Sequence, residues 1–184
     1  MKKSTYAIIT VFVLAVLVTF FINRSYAFNN KVEEKWNVYF SNFKEIKKSE
    51  NVFVPENPKV ESTGIQPYDV IVSGSDDYFT FSFDAVNDGN VNAIINSIIK
   101  EEPQCISLEL PANKEDESQV CNNLEYKMFY TDSNEEVKLN DSLKANTKKN
   151  ITVTVGLDKN SDINLVGDVQ IVLFDTDFIY VEEQ

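Results

Sequence analysis

Apolar side chains alternate with polar ones through most of this chain, and this two-residue period constrains the fold more than any other feature. The clearest run sets Phe79, Phe81 and Phe83 against Thr80 and Ser82. Further runs of the same kind begin at Trp36, Tyr68, Leu124, Ile151 and Val169. Such alternation places one side of each strand on a core and the other in water, as antiparallel sheets allow. Because turn-forming residues separate the runs, the sequence predicts an all-β sandwich or barrel.

One segment fits two periods. The apolar residues of 91–99 recur with the spacing of an amphipathic helix. The same residues are mostly β-branched, and Asp88 and Gly89 before them form a hairpin signal. We therefore predict that 91–99 is a strand.

The N-terminus predicts export. Lys2 and Lys3 precede an apolar run over residues 6–22, which the sequence predicts to be a hydrophobic helix. Ser25 and Ala27 supply small residues where a signal peptidase would cleave, so the run fits a signal peptide. Its length also fits a short membrane anchor. Under either reading residues 1–27 form the leader, 28–34 a spacer and 35–184 an extracytoplasmic domain.

Composition narrows the classes of function. The chain has no histidine, which excludes histidine-based catalysis and imidazole metal sites. Its 29 acidic and 17 basic residues give a formal net charge of −12, so phosphate backbones should repel it and nucleic acid is not an expected partner. Acidic clusters such as Glu115, Asp116 and Glu117 lie in polar runs, where we expect them to be solvated. We therefore predict a protein that is not an enzyme and carries no cofactor.

Two cysteines flank a polar stretch. Cys105 and Cys121 are the only cysteines of the chain. In an exported protein such a pair predicts one disulfide, which we expect to join the two arms of a hairpin. Two buried thiols are the alternative. Zinc is not expected, because two thiolates without histidine are too few ligands.

A polar segment weakly resembles the start of a calcium loop. Asp158, Asn160 and Asp162 occupy alternate positions, as calcium-binding oxygens do. Ile163 stands where such a loop needs glycine, and Val169 where it needs a bidentate glutamate. A polar turn is therefore the preferred interpretation, and no metal site is predicted.

Residues 77–93 resemble the central hairpin of immunoglobulin-like modules in bacterial surface proteins. An aromatic-alternating strand there ends in an Asn-Asp-Gly turn and a second strand follows. With the run at Trp36, this is similar to small exported proteins of Gram-positive bacteria, some related to subunits of biofilm-matrix fibres. The resemblance implies an immunoglobulin-like antiparallel β-sandwich of about seven or eight strands. It carries no catalytic residues and implies no reaction.

These observations lead to one functional hypothesis and two alternatives. The hypothesis is a non-enzymatic surface or matrix protein, secreted or anchored by its N-terminus, that acts through protein–protein contacts or assembly. Its partners would be envelope or matrix proteins or further copies of the chain, with the membrane a partner if the leader is uncleaved. Strand addition at an open sheet edge is one route, with 28–34 as donor. A membrane-anchored accessory domain of an envelope complex is the alternative, and an enzyme with an unrecognised site a more distant one.

Overall fold

A computed structural model describes residues 35–158, 160, 161 and 163–184. Within these residues the chain forms twelve strands and one helix, all in one compact unit. In chain order the elements are β1 (Val38–Lys48), β2 (Val60–Glu61), β3 (Gly64–Ile65), β4 (Tyr68–Val72), β5 (Tyr78–Asn87), β6 (Ala93–Lys100), β7 (Gln104–Ser107), α1 (Lys114–Asn122), β8 (Leu124–Tyr130), β9 (Ser142–Leu143), β10 (Thr147–Leu157), β11 (Val169–Leu173) and β12 (Thr176–Glu182). The leader, the spacer and the candidate cleavage residues Ser25 and Ala27 lie outside the described residues.

Four strands form the first layer of the fold. Their order is β1-β5-β10-β8, and every neighbouring pair is antiparallel. In β5, Phe79, Phe81 and Phe83 are fully buried while Thr80 is partly exposed. The predicted alternation therefore sets which side of this layer faces the core.

The second layer is built from three long passes of the chain, each interrupted once, with the short strands β2 and β9 at the edges of one half. Its two halves are the sheets β4-β11-β7 and β2-β3-β12-β6-β9. β3 continues into β4, β6 into β7 and β11 into β12, and these passes keep the same neighbours in both halves. Pro67 and Pro103 lie at two of the interruptions, where a residue without an N–H cannot continue the ladder. We call this shared interruption the break.

A single apolar core lies between the two layers. Phe81 is at its centre, with its ring centroid 5.6 Å from those of Phe43, Tyr68 and Phe79. Residues from both layers join this cluster, including Val153 of β10 in the first layer and Phe178 of β12 in the second. The predicted all-β sandwich is confirmed at this level.

Two local predictions have different outcomes. Residues 91–99 contribute to β6, so the strand interpretation is confirmed and the helical spacing was misleading. The helix α1 was not predicted, because the stretch before Cys121 was interpreted only as a polar connection. Among the described residues, no helix has the length and apolar character needed to cross a membrane.

Candidate binding edge

A cleft opens between the two layers beside the break. β8 is the last strand of its sheet, and the connection from β6 to β7 lies across the cleft from it. The volume is about 350 Å³, enough for one or two large side chains. The cleft is lined by Lys100, Glu101, Glu102, Pro103, Cys121, Leu124, Tyr126, Leu173, Phe174 and Thr176.

The outer side of β8, by which we mean its edge away from β10, is covered along one half of the strand and uncovered along the other. Residues 135–137 fold back over the far half, where Tyr130 N–H donates to the Glu135 carbonyl at 2.9 Å and Val137 N–H donates to the Met128 carbonyl at 3.0 Å. No strand of the described chain pairs with the outer side of residues 124–127, which we call the open half of β8. Because the backbone groups of Met128 and Tyr130 point outward, the two-residue period places those of Leu124 and Tyr126 outward as well.

The inner wall of the cleft carries polar atoms. The Tyr126 hydroxyl lies 3.4 Å from the Thr176 hydroxyl. Behind them the buried Tyr68 hydroxyl has no hydrogen-bond partner among the described residues. Burial raises the pKa of Tyr68 well above its usual value and also raises the pKa of Tyr126, so both phenols stay neutral at physiological pH. The Lys100 ammonium lies 5.7 Å from the centre of the Tyr126 ring and adds a positive charge at the mouth.

The predicted disulfide is present, with a different arrangement. Cys105 and Cys121 are bonded, with Cα atoms 5.8 Å apart. Cys105 lies in β7 and Cys121 in α1, so the expectation of a bridge between hairpin arms is wrong. The bond fastens the helix to an edge strand, and Cys121 forms part of the cleft wall.

The sequence did contain signals for α1. The Asn113 side chain accepts hydrogen bonds from the backbone N–H groups of Glu115 and Asp116, as an N-cap does. Acidic residues fill the first turn, where they favour the helix dipole. Asp116 is buried, contrary to the expectation of a solvated carboxylate, because it accepts N–H bonds from Val166 and Gly167 at 3.1 Å each.

The weak calcium candidate is a polar turn where it is described. The Asp158 carboxylate accepts hydrogen bonds from the backbone and side-chain N–H groups of Asn160, at 2.9 and 3.1 Å. Asp162 lies outside the described residues. Within them, no group of three acidic or cysteine side chains is arranged to hold a metal ion.

Another buried carboxylate lies on the outer side of the first layer. Asp84 accepts hydrogen bonds from Asn42, Lys148 and Asn150 at 2.8 to 2.9 Å. Burial alone would raise its pKa, but these three donors outweigh burial and lower the pKa to about 2. The donors occupy the carboxylate, which gives Asp84 a structural role.

The chemistry available at the cleft is therefore recognition by backbone hydrogen bonds, apolar contact and a few polar atoms. No protein-family model matches the chain, and no curated protein gives a significant match.

Proposed function

We propose that this chain is a non-enzymatic surface or matrix protein that assembles by strand addition at the open half of β8. The proposal rests on one observation. The open half of β8 is an unpaired strand segment, and the inward side chains of Leu124 and Tyr126 line the cleft beside it. An added strand would bond to the outward backbone groups of Leu124 and Tyr126. Its alternate side chains would then enter the cleft, whose volume suits a large apolar residue.

The order of the strands supports an immunoglobulin-like assignment of the fold. β1, β5, β10 and β8 correspond to strands A, B, E and D of that fold. The passes β6–β7 and β11–β12 correspond to strands C and F. β3–β4 then takes the place of strand G, although it precedes B in the chain. In this assignment the cleft lies between edge strands C and D.

An extracytoplasmic location is part of the proposal. The basic start and the apolar run over 6–22 supply an export signal or an anchor helix. The Cys105–Cys121 disulfide agrees with an oxidising compartment. The partners would be further copies of the chain or other envelope or matrix proteins, and residues 28–34 of another copy are the donor we test.

The first experiment compares two variants of one edge residue. Leu124→Pro removes an outward N–H and introduces a ring at the open half, whereas Leu124→Ala shortens the side chain but keeps the N–H. The outward N–H takes no part in pairing with β10, so Leu124→Ala should retain the fold. Leu124→Pro strains Asn123, whose ψ of 10° is disfavoured before proline, so assembly is compared only if the melting temperatures of the two variants agree within a few degrees. We expect Leu124→Pro to weaken assembly of the full-length chain about tenfold more than Leu124→Ala.

Assembly is measured by native electrophoresis and negative-stain microscopy over a concentration series, with thermal unfolding as the folding control. A peptide with the sequence of residues 28–34 should compete with assembly, and a scrambled peptide should not. Equal assembly by both variants would show that this edge is not used. A protein that stays monomeric and co-purifies with membrane proteins would favour the accessory-domain alternative.

A further inference from the structure

The outer face of the second layer carries several exposed apolar side chains among its polar ones. In β12, Phe178 and Tyr180 are buried while Ile179 between them points outward and is 41% exposed. Ile99 of β6 is 51% exposed and Ile106 of β7 is 42% exposed. Phe53, which pairs with Ile71 at the edge of β4, is 59% exposed. We call these four side chains and their half-buried neighbours the apolar face. The neighbours are Ile71, Ile94, Val172 and Val181.

The outer side of the first layer has a different character. Thr80, Ser82 and Asp84 of β5 face outward there, beside Thr152 and Thr154 of β10. These side chains bond to one another and to neighbours, as in the Thr80–Thr154 contact of 3.4 Å. Since the central strands β5 and β10 of the first layer present mainly polar side chains outward, the outward isoleucines of the other layer are not a general consequence of strand composition.

The exposed area is large enough for an interface. The four main residues have areas of roughly 150–200 Å² each, and multiplying these areas by the exposed fractions gives a total of roughly 350 Å² of apolar surface. A standard interface buries about 800 Å² per partner, of which about 60% is apolar. The four half-buried neighbours supply much of the remainder, so the apolar face approaches the area that a stable dimer needs.

The polar groups of this face are of both hydrogen-bonding kinds. Asp69 and Asp177 are acceptors, and Asp69 is already bonded to the Gln170 amide at 2.9 Å. Gln104 adds an exposed amide that can donate. An identical face therefore brings its own donors to these carboxylates, and no cation from a different partner is required.

We propose that the apolar face packs against the same face of a second copy of this chain. The two sheets would stack as the layers of a sandwich do, with the outward isoleucines of each copy between them. This contact uses none of the groups that strand addition uses, so it is independent of the function proposed above.

The test introduces single cysteines into the full-length chain. Cross-linking is carried out on the membrane or extracellular fraction of the cells that express it. Both native cysteines are in the disulfide, so an introduced cysteine is the only free thiol. Ile99→Cys, Ile106→Cys and Ile179→Cys report on the apolar face. Tyr39→Cys is the matched control, because Tyr39 is 37% exposed on the first layer. Cross-linking uses a short bis-maleimide.

We expect at least one cysteine of the apolar face to give about tenfold more cross-linked dimer than Tyr39→Cys. Adding Ile99→Lys and Ile179→Lys to the Ile106→Cys reporter should abolish that dimer while the melting temperature stays within a few degrees. Raising NaCl from about 0.05 to 0.5 M should increase the dimer, because the copies are both strongly acidic.

Three results would overturn the proposal. Thiols that react freely with a monofunctional maleimide but give no dimer would show an uncovered face. Thiols that are protected but give no dimer would show that a different protein or lipid covers it. A dimer that salt weakens would assign the contact to a basic partner. A dimer that Leu124→Pro removes would assign it to strand addition.

Discussion

Replacing Asp84 by asparagine tests whether buried hydrogen bonds to a charge hold the outer side of β5 to β10. The side chain is only 10% exposed, and its carboxylate accepts from Asn42, Lys148 and Asn150. These donors lower the pKa of Asp84 to about 2, from an ordinary value of 3.8. At 1.36 kcal/mol for each unit of pKa, the charged form stabilises the folded state by about 2 kcal/mol at pH 7.

The dependence on pH follows from the direction of this shift. Because the folded pKa lies below the unfolded one, the stabilisation is complete above about pH 4 and is lost as the pH falls through 2. Asp84→Asn should therefore lower the free energy of unfolding by about 2 kcal/mol at pH 7 but by less than about 0.5 kcal/mol at pH 2.

The assay is urea unfolding followed by tryptophan fluorescence at pH 7, 3 and 2. Asp132→Asn, at an exposed turn, is the matched control and should change stability little at any of these pH values. Lys148→Met should reproduce part of the loss at pH 7, because it removes one of the three donors. An equal loss for Asp84→Asn at pH 7 and pH 2 would refute the reasoning, since packing rather than charge would then explain it.

Three further predictions concern stability. The double variant Cys105→Ser, Cys121→Ser should lower the free energy of unfolding by about 3 kcal/mol, because the bond closes the loop between Cys105 and Cys121 in the unfolded chain. Denaturation with and without reductant checks this, and no difference in stability would contradict it. Asp116→Ala should lower the free energy of unfolding by about 2–3 kcal/mol, because it leaves the N–H groups of Val166 and Gly167 without their acceptor. Glu115→Ala is the exposed control, and an equal effect of the two variants would contradict the prediction. Burial raises the pKa of four tyrosines, Tyr68, Tyr126, Tyr130 and Tyr180, so stability should fall as the pH rises above about 10. These phenols should ionise only when the protein unfolds, which absorbance at alkaline pH would show, and ionisation before unfolding would argue against this.

The sequence predicted the strands well, because their burial alternates with the same period as their composition. Phe79, Phe81 and Phe83 are the clearest case, and each is fully buried. For residues 91–99 the two periods competed, and the β-branched side chains favoured the observed strand. Local preference and tertiary packing agree at these positions.

The candidate site was less predictable, because it depends on contacts between distant segments. The open half of β8 exists only because residues 135–137 stop short of Lys127. α1 is a short helix whose buried residues are Asp116 and Val120, so it has almost no apolar stripe to detect. Its cap and acidic first turn were the only local signals.

The break in the second layer has a consequence for how the protein behaves when crowded. An uninterrupted edge along the pass of β6 and β7 would offer about fifteen residues of backbone to any neighbouring chain. Pro103 and its neighbours instead divide it into segments of eight and four residues, and β9 already covers the start of the longer one. Short segments that do not continue one another are poor templates for amyloid-like growth. The interruption therefore protects a strand-rich, isoleucine-rich protein from indiscriminate aggregation at this edge, even at high local concentration.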